Sequence, residues 1–166
     1  CLGRERVFEH FCRTNQTPVS LIRLNYACEL RYGVLVDLAR KIMDATTIDL
    51  SMGMANIIWQ ADANAMALRS LAHASSPPFV INIAGPEQLA IEQLSIALGE
   101  RLGREPIFAG EPDPVAILSN GQKAHQLFGY PKTTINTMMD HVAHWLKSDG
   151  TLLGKPTKFE VIDGKF

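Results

Sequence analysis

The 166-residue chain predicts an α/β fold, with parallel strands joined by crossover helices. Two observations predict it. Residues 19–24 and 79–83 are short apolar runs, partly β-branched and bounded by turn residues, which is the pattern of buried strands. Each is preceded by a segment with helical periodicity. Composition agrees with a globular domain: 46% hydrophobic and 20% charged residues. The net charge of −1 lacks the basic surplus of a nucleic-acid binder. No apolar run reaches the roughly 18–20 residues that span a bilayer.

Leu2, Val7, Phe8, Phe11 and Cys12 share one face of a helix at 3–13, and the turn residues 14–18 end it. The strand at 19–24 follows. Tyr32 and Gly33 break the chain before a second helix, carried by Val34, Leu35, Leu38, Ile42 and Met43, with Asp37 and Lys41 paired one turn apart on its outside. Residues 46–51 and 56–60 are short strand candidates around a bend at 52–54, whose methionines face the core. Asp62 is placed to cap a helix at 63–74, since a carboxylate there accepts first-turn amides. The strand at 79–83 closes at Gly85-Pro86, and a helix runs on to about Leu102. A short strand at 106–109, a loop at 110–114 and a helix capped by Ser119 or Asn120 come next. The last helix is the most regular: Ile135, Met138, Met139, Val142, Trp145 and Leu146 form one stripe. Residues 151–166 read as an extended polar tail, a strap over another surface. The whole reads as one partial domain, 1–166. A sheet this small leaves one strand edge open to a neighbour.

Cys1, Cys12 and Cys28 are an odd, widely spaced set, unlike a disulfide framework or a zinc site. Reduced thiols in a cytoplasmic protein fit best, with Cys12 and Cys28 as small buried or half-buried residues. No secretory leader is legible. His141 and His144 stand off the apolar stripe of the last helix and read as solvated, so no metal is expected. The chain opens on Cys1 with the helical pattern already under way, as if in mid-element.

Five segments, in order, carry a family resemblance. They are the helix at 3–13, the strand with its exit at 19–26, residues 56–63, residues 79–87, and residues 119–131 with Lys123-Ala124 and the run from Leu127 to Pro131. Together they resemble the C-terminal half of an extended short-chain dehydrogenase/reductase of the NAD-dependent epimerase/dehydratase family. The resemblance implies the last strands of a Rossmann-type parallel sheet plus a small substrate-binding α/β region. It implies NAD or NADP as cofactor and a small polar substrate, of which a sugar nucleotide is one candidate. The family's glycine-rich pyrophosphate loop has no counterpart, because Gly99 and Gly103 lie inside or at the end of a helix. Its catalytic tyrosine has none either. Glu5 follows Cys1 by four residues, as a Glu often follows the family's catalytic Lys, which places Cys1 at the lysine position. A thiol carries no positive charge to lower a tyrosine pKa.

The resemblance also places site residues. Asn25 and Tyr26 leave the strand whose carboxyl end faces the cofactor; an Asn capping a loop and a packed Tyr are the plainer roles. Glu29 and Arg31 sit in a loop of the kind that binds substrate, or form a solvated surface pair. Trp59 and Gln60 could line the substrate pocket, with core packing the simpler role for the Trp. The resulting expectation is a substrate-side portion of an NAD(P)-dependent enzyme, non-catalytic as this chain alone. The alternative is a non-catalytic oligomeric interaction module derived from that fold. Either a homo-oligomer or an N-terminal half would complete it.

Overall fold

A computed structural model describes residues 2–161. Cys1 and the last five residues of the tail lie outside the described residues, so the placement of Cys1 at the lysine position does too. The elements are α1 (Leu2–Asn15), β1 (Ser20–Leu24), β2 (Ala27–Cys28), α2 (Val34–Met43), β3 (Thr47–Asp49), β4 (Met54–Ala55), β5 (Ile58–Trp59), α3 (Gln60–Ser70), β6 (Phe79–Ile83), β7 (Leu89–Ala90), α4 (Ile91–Leu102), β8 (Ile107–Ala109), α5 (Gln122–Phe128) and α6 (Ile135–Lys147).

The two runs predicted as buried strands pair with each other. β1 and β6 are parallel, with Ile22 opposite Ile81 and Leu24 opposite Ile83. Two shorter parallel pairs, β2–β5 and β3–β8, and one antiparallel pair, β4–β7, complete the ladders among the described residues. Apolar burial separates into two cores. The larger packs α2, α4 and α6 together through Leu35, Leu38, Ile42, Leu98, Met138 and Val142. The smaller lies under the β1–β6 pair, where Ile81 and Ile83 meet Ala63 and Met66 of α3 and Ala124 and Phe128 of α5.

Among the described residues β1 is paired along one edge only, and Ile22 is 40% and Leu24 50% exposed. The apolar residues of α1 are uncovered as well, with Phe8 50% and Phe11 57% exposed, while Cys12 is fully buried. α1 is held to the sheet by polar ties. Arg23 donates to both carboxylate oxygens of Glu5, at 2.9 and 2.7 Å. The Arg23 guanidinium holds the Glu5 carboxyl below its usual range. The Cys12 thiol donates to the Ser75 carbonyl at 3.4 Å.

Four local expectations change. α3 starts at Gln60, so Asp62 is in its first turn and caps nothing there. Its carboxylate instead accepts the amides of Lys132 and Thr133, at 3.2 and 3.1 Å, and fixes the loop before α6. α4 begins only at Ile91, because Leu89 and Ala90 are claimed by β4. α5 is flanked by Gly121, with the Asn120 side chain accepting the Gln122 amide at 2.9 Å. Finally, Asp37 and Lys41 do not pair. Asp37 accepts both the amide and the hydroxyl of Thr157, and Lys41 bonds Glu160. Strap-like, the tail crosses the chain's own α2, and Phe159, only 2% exposed, joins the larger core.

Candidate functional site

In open parallel sheets, ligands collect beyond the carboxyl ends of the strands. The chain leaving β1 passes through Asn25 and Tyr26, and the chain leaving β6 passes through Ala84 and Gly85. These exits are tied together by Asn56, which is 4% exposed. Its side-chain amide donates to the carbonyls of Gly85 (3.2 Å) and Ser119 (2.6 Å). Its side-chain oxygen accepts from the Asn25 amide (2.7 Å) and the Ser119 backbone N–H (3.2 Å). Both polar atoms of the Asn56 side chain are therefore used, so the side chain works as a brace. Gly85 passes so close to the backbone of Ile57 that a Cβ there would overlap the Ile57 carbonyl.

At the β1 exit a cleft of about 230 Å³ opens between Leu24, Tyr26, Tyr32, Gly33, Gln60 and Thr157. Tyr26 has φ 34°, a left-handed conformation that a bulky residue takes up only when its surroundings hold it. Burial pushes its phenol pKa up, so near neutrality it is a hydrogen-bond donor and not a base. Gln60 spends one donor on Asn64, at 2.9 Å.

The predicted site residues thus separate. Tyr26 and Gln60 share one cleft. Asn25 is drawn into the Asn56 brace. Glu29 and Arg31 form a pair with each other, the guanidinium lying 3.1 Å from the carboxylate. Trp59 is half-buried against the larger core, and its ring meets His141 at 5.9 Å. Thr157 and Asn56 were not among the predicted site residues. Thr157 is 120 positions from Asp37, its partner, and no local pattern signals such a contact. Asn56 did carry a signal: it is polar and sits between Ala55 and Ile57, inside a run of buried apolar residues.

Gly33, the N-cap of α2, follows a strand as a phosphate-binding glycine would, but the space beside it is taken. A Cβ at Gly33 would stand 2.5 Å from the Cys28 sulfur, whose thiol donates to the Tyr26 carbonyl at 3.9 Å. Cys28 thus fills the space beside the first turn of α2. Gly33 therefore offers no open cradle for a pyrophosphate.

Burial pushes the Cys28 thiol up to about 11 from an ordinary 9.0. The sign follows from linkage. A raised folded-state pKa gives stability that is full below about pH 9 and lost as pH rises through about 11. Urea melts should therefore show roughly 1–3 kcal/mol lost over that interval through this thiol. The Cys28→Ala variant should lose correspondingly less over the same interval. An equal loss in both proteins would show that the thiol titrates freely in the fold.

Among the described residues no group of three His, Cys, Asp or Glu side chains could hold a metal ion. In the same residues no helix is long and apolar enough to cross a membrane.

No family model and no curated protein sequence matches the chain. Solved structures do match its fold. UDP-glucuronic acid 4-epimerase from Bacillus cereus, solved with NAD, superposes at TM-score 0.73 and 18% identity, over 89% of this chain and 49% of that one. UDP-glucose 4-epimerase from Thermotoga maritima, solved with UDP-glucose, gives TM-score 0.73 and 16% identity, over 89% of this chain and 52% of that one. RMD from Pseudomonas aeruginosa, solved with NADPH, gives 0.72 and 15%, over 89% and 55%. The chain spans about half the length of these structures. With its parallel strand pairs, it has the Rossmann-like fold of NAD-dependent UDP-sugar epimerases, over a stretch equal to about half of such an enzyme.

Proposed function

We infer that the chain is the substrate-side portion of an NAD(P)-dependent epimerase, dehydratase or reductase acting on a sugar nucleotide. The observation that carries this is the cleft of Tyr26 and Gln60. It lies beyond the carboxyl end of β1, in a chain with the fold of UDP-sugar epimerases. In that reading Tyr26 donates its phenolic hydrogen and Gln60 its carboxamide to the polar face of a sugar or to the nicotinamide end of the cofactor. Both residues bind and orient. Neither supplies the general base that hydride chemistry needs, since Tyr26 holds its proton. The 166-residue chain is therefore a binding element and turns over nothing by itself.

The uncovered apolar face of α1 favours a second reading, an oligomeric interaction module without chemistry. One experiment separates the two. Calorimetric titrations with UDP-glucose and with NAD are run on material whose mass is fixed by sedimentation. The first reading expects millimolar-range heat with UDP-glucose and no micromolar NAD binding. A stable dimer with no heat from either ligand would replace it with the second. Micromolar NAD affinity would contradict the account of Gly33 and Cys28.

A further inference from the structure

The tail does more than cover α2. Thr157 places its backbone N–H and its hydroxyl on one oxygen of Asp37, at 2.8 and 2.6 Å. The same hydroxyl oxygen accepts the Phe159 amide at 3.4 Å. Lys41 bonds Glu160, and Phe159 is buried. Three anchors of different kinds thus hold one short strap: a doubly hydrogen-bonded carboxylate, an ion pair and a buried ring. The middle of that strap is also a boundary of the Tyr26–Gln60 cleft, for Thr157 lines it together with Leu24, Tyr32 and Gly33.

We propose that the strap at 154–161 is a wall of the binding cleft, and that Thr157 is a positioning residue that joins strap docking to cleft shape. The proposal rests on the substrate-side reading only for the identity of the ligand. The Thr157 hydroxyl already serves both Asp37 and Phe159, so this residue gives the cleft its shape and leaves the hydrogen bonding to Tyr26 and Gln60. Any ligand in the cleft meets the strap. Linkage then requires that binding tighten the strap by the same factor as strap docking tightens binding.

Two near-isosteric variants separate the roles. Thr157→Val keeps the side-chain shape and removes the hydroxyl. Thr157→Ser keeps the hydroxyl and removes a methyl from a residue that lines the cleft. Residue-resolved amide exchange and 15N resonances of the full chain read both effects without ligand. Thr157→Val should speed exchange at Phe159 and Glu160 by about tenfold or more, as expected for losing a hydrogen bond to a charged group. It should shift Tyr26, Gly33 and the Gln60 side-chain amide as well. Thr157→Ser should leave exchange near wild type and move only the cleft resonances. A strap freed by Thr157→Val with cleft resonances unmoved would overturn the proposal, as would a strap whose exchange the variant does not change. Adding UDP-glucose to the wild type tests the ligand separately. If it shifts no resonance, the sugar-nucleotide reading fails while the strap result stands; if it fills the cleft without slowing strap exchange, the linkage is wrong.

Discussion

Asn56→Ala is expected to cost about 3–5 kcal/mol of folding stability, as a shift of the urea midpoint at nearly constant slope. The residue fills a gap, but its main work is polar. Removing it strands the carbonyls of Gly85 and Ser119 and the Ser119 amide, and leaves the Asn25 side chain only its 3.5 Å bond to the Asn56 carbonyl, in a place where Asn56 is only 4% exposed. A buried group left without a partner costs about 1–3 kcal/mol, more than a hydrogen bond contributes when made. Asn56→Asp tests the chemistry at constant shape. The carboxylate still accepts from Asn25 and Ser119, but it turns an oxygen towards two carbonyls that need a donor. A loss of several kcal/mol in Asn56→Asp supports the brace. A loss under about 1 kcal/mol would mean that packing, and not hydrogen bonding, holds the strand exits together.

Gly85→Ala is the second large effect, about 3 kcal/mol or more, with a reduced yield of folded protein. The added methyl would overlap the Ile57 carbonyl, and main chain on both sides leaves no flexible side chain to give way. Gly103→Ala is the control. Gly103 ends α4 at φ 71° with nothing within 4 Å of a Cβ, so only left-handed strain opposes the substitution. That strain costs about 1–2 kcal/mol. If thermal melts rank the two variants equally, the close approach of Gly85 to Ile57 is not a constraint on the fold.

What the sequence revealed follows a physical line. Elements that bury one face against a large core announce themselves by period, as α6 does through Met138, Met139 and Val142, and β6 through Ile81 and Ile83. Tyr26 was singled out because it leaves a parallel strand at its carboxyl end, and Gln60 through the family resemblance; the structure sets both on one cleft. Contacts between distant segments leave no periodic trace. Asp37 looked like half of a helical ion pair with Lys41, yet both side chains are taken by the tail more than a hundred residues on. Phe159 stood in a segment that read as polar, and its ring joins the core beside the Thr157 and Glu160 contacts that hold that segment. Asp62 was recognised as an amide acceptor at a helix start, but its partners came from the loop before α6. Local chemistry named the group correctly, and tertiary geometry chose what it serves.

The central claim is that the Tyr26–Gln60 cleft is the ligand site. A 15N resonance titration of the full chain with UDP-glucose, repeated with Tyr26→Phe and Gln60→Ala, tests it most directly. The account predicts saturable shifts at Tyr26, Gly33 and the Gln60 side chain, weakened about threefold to tenfold in each variant as one hydrogen bond is lost. Shifts confined to other residues, or affinities unchanged in both variants, would contradict it.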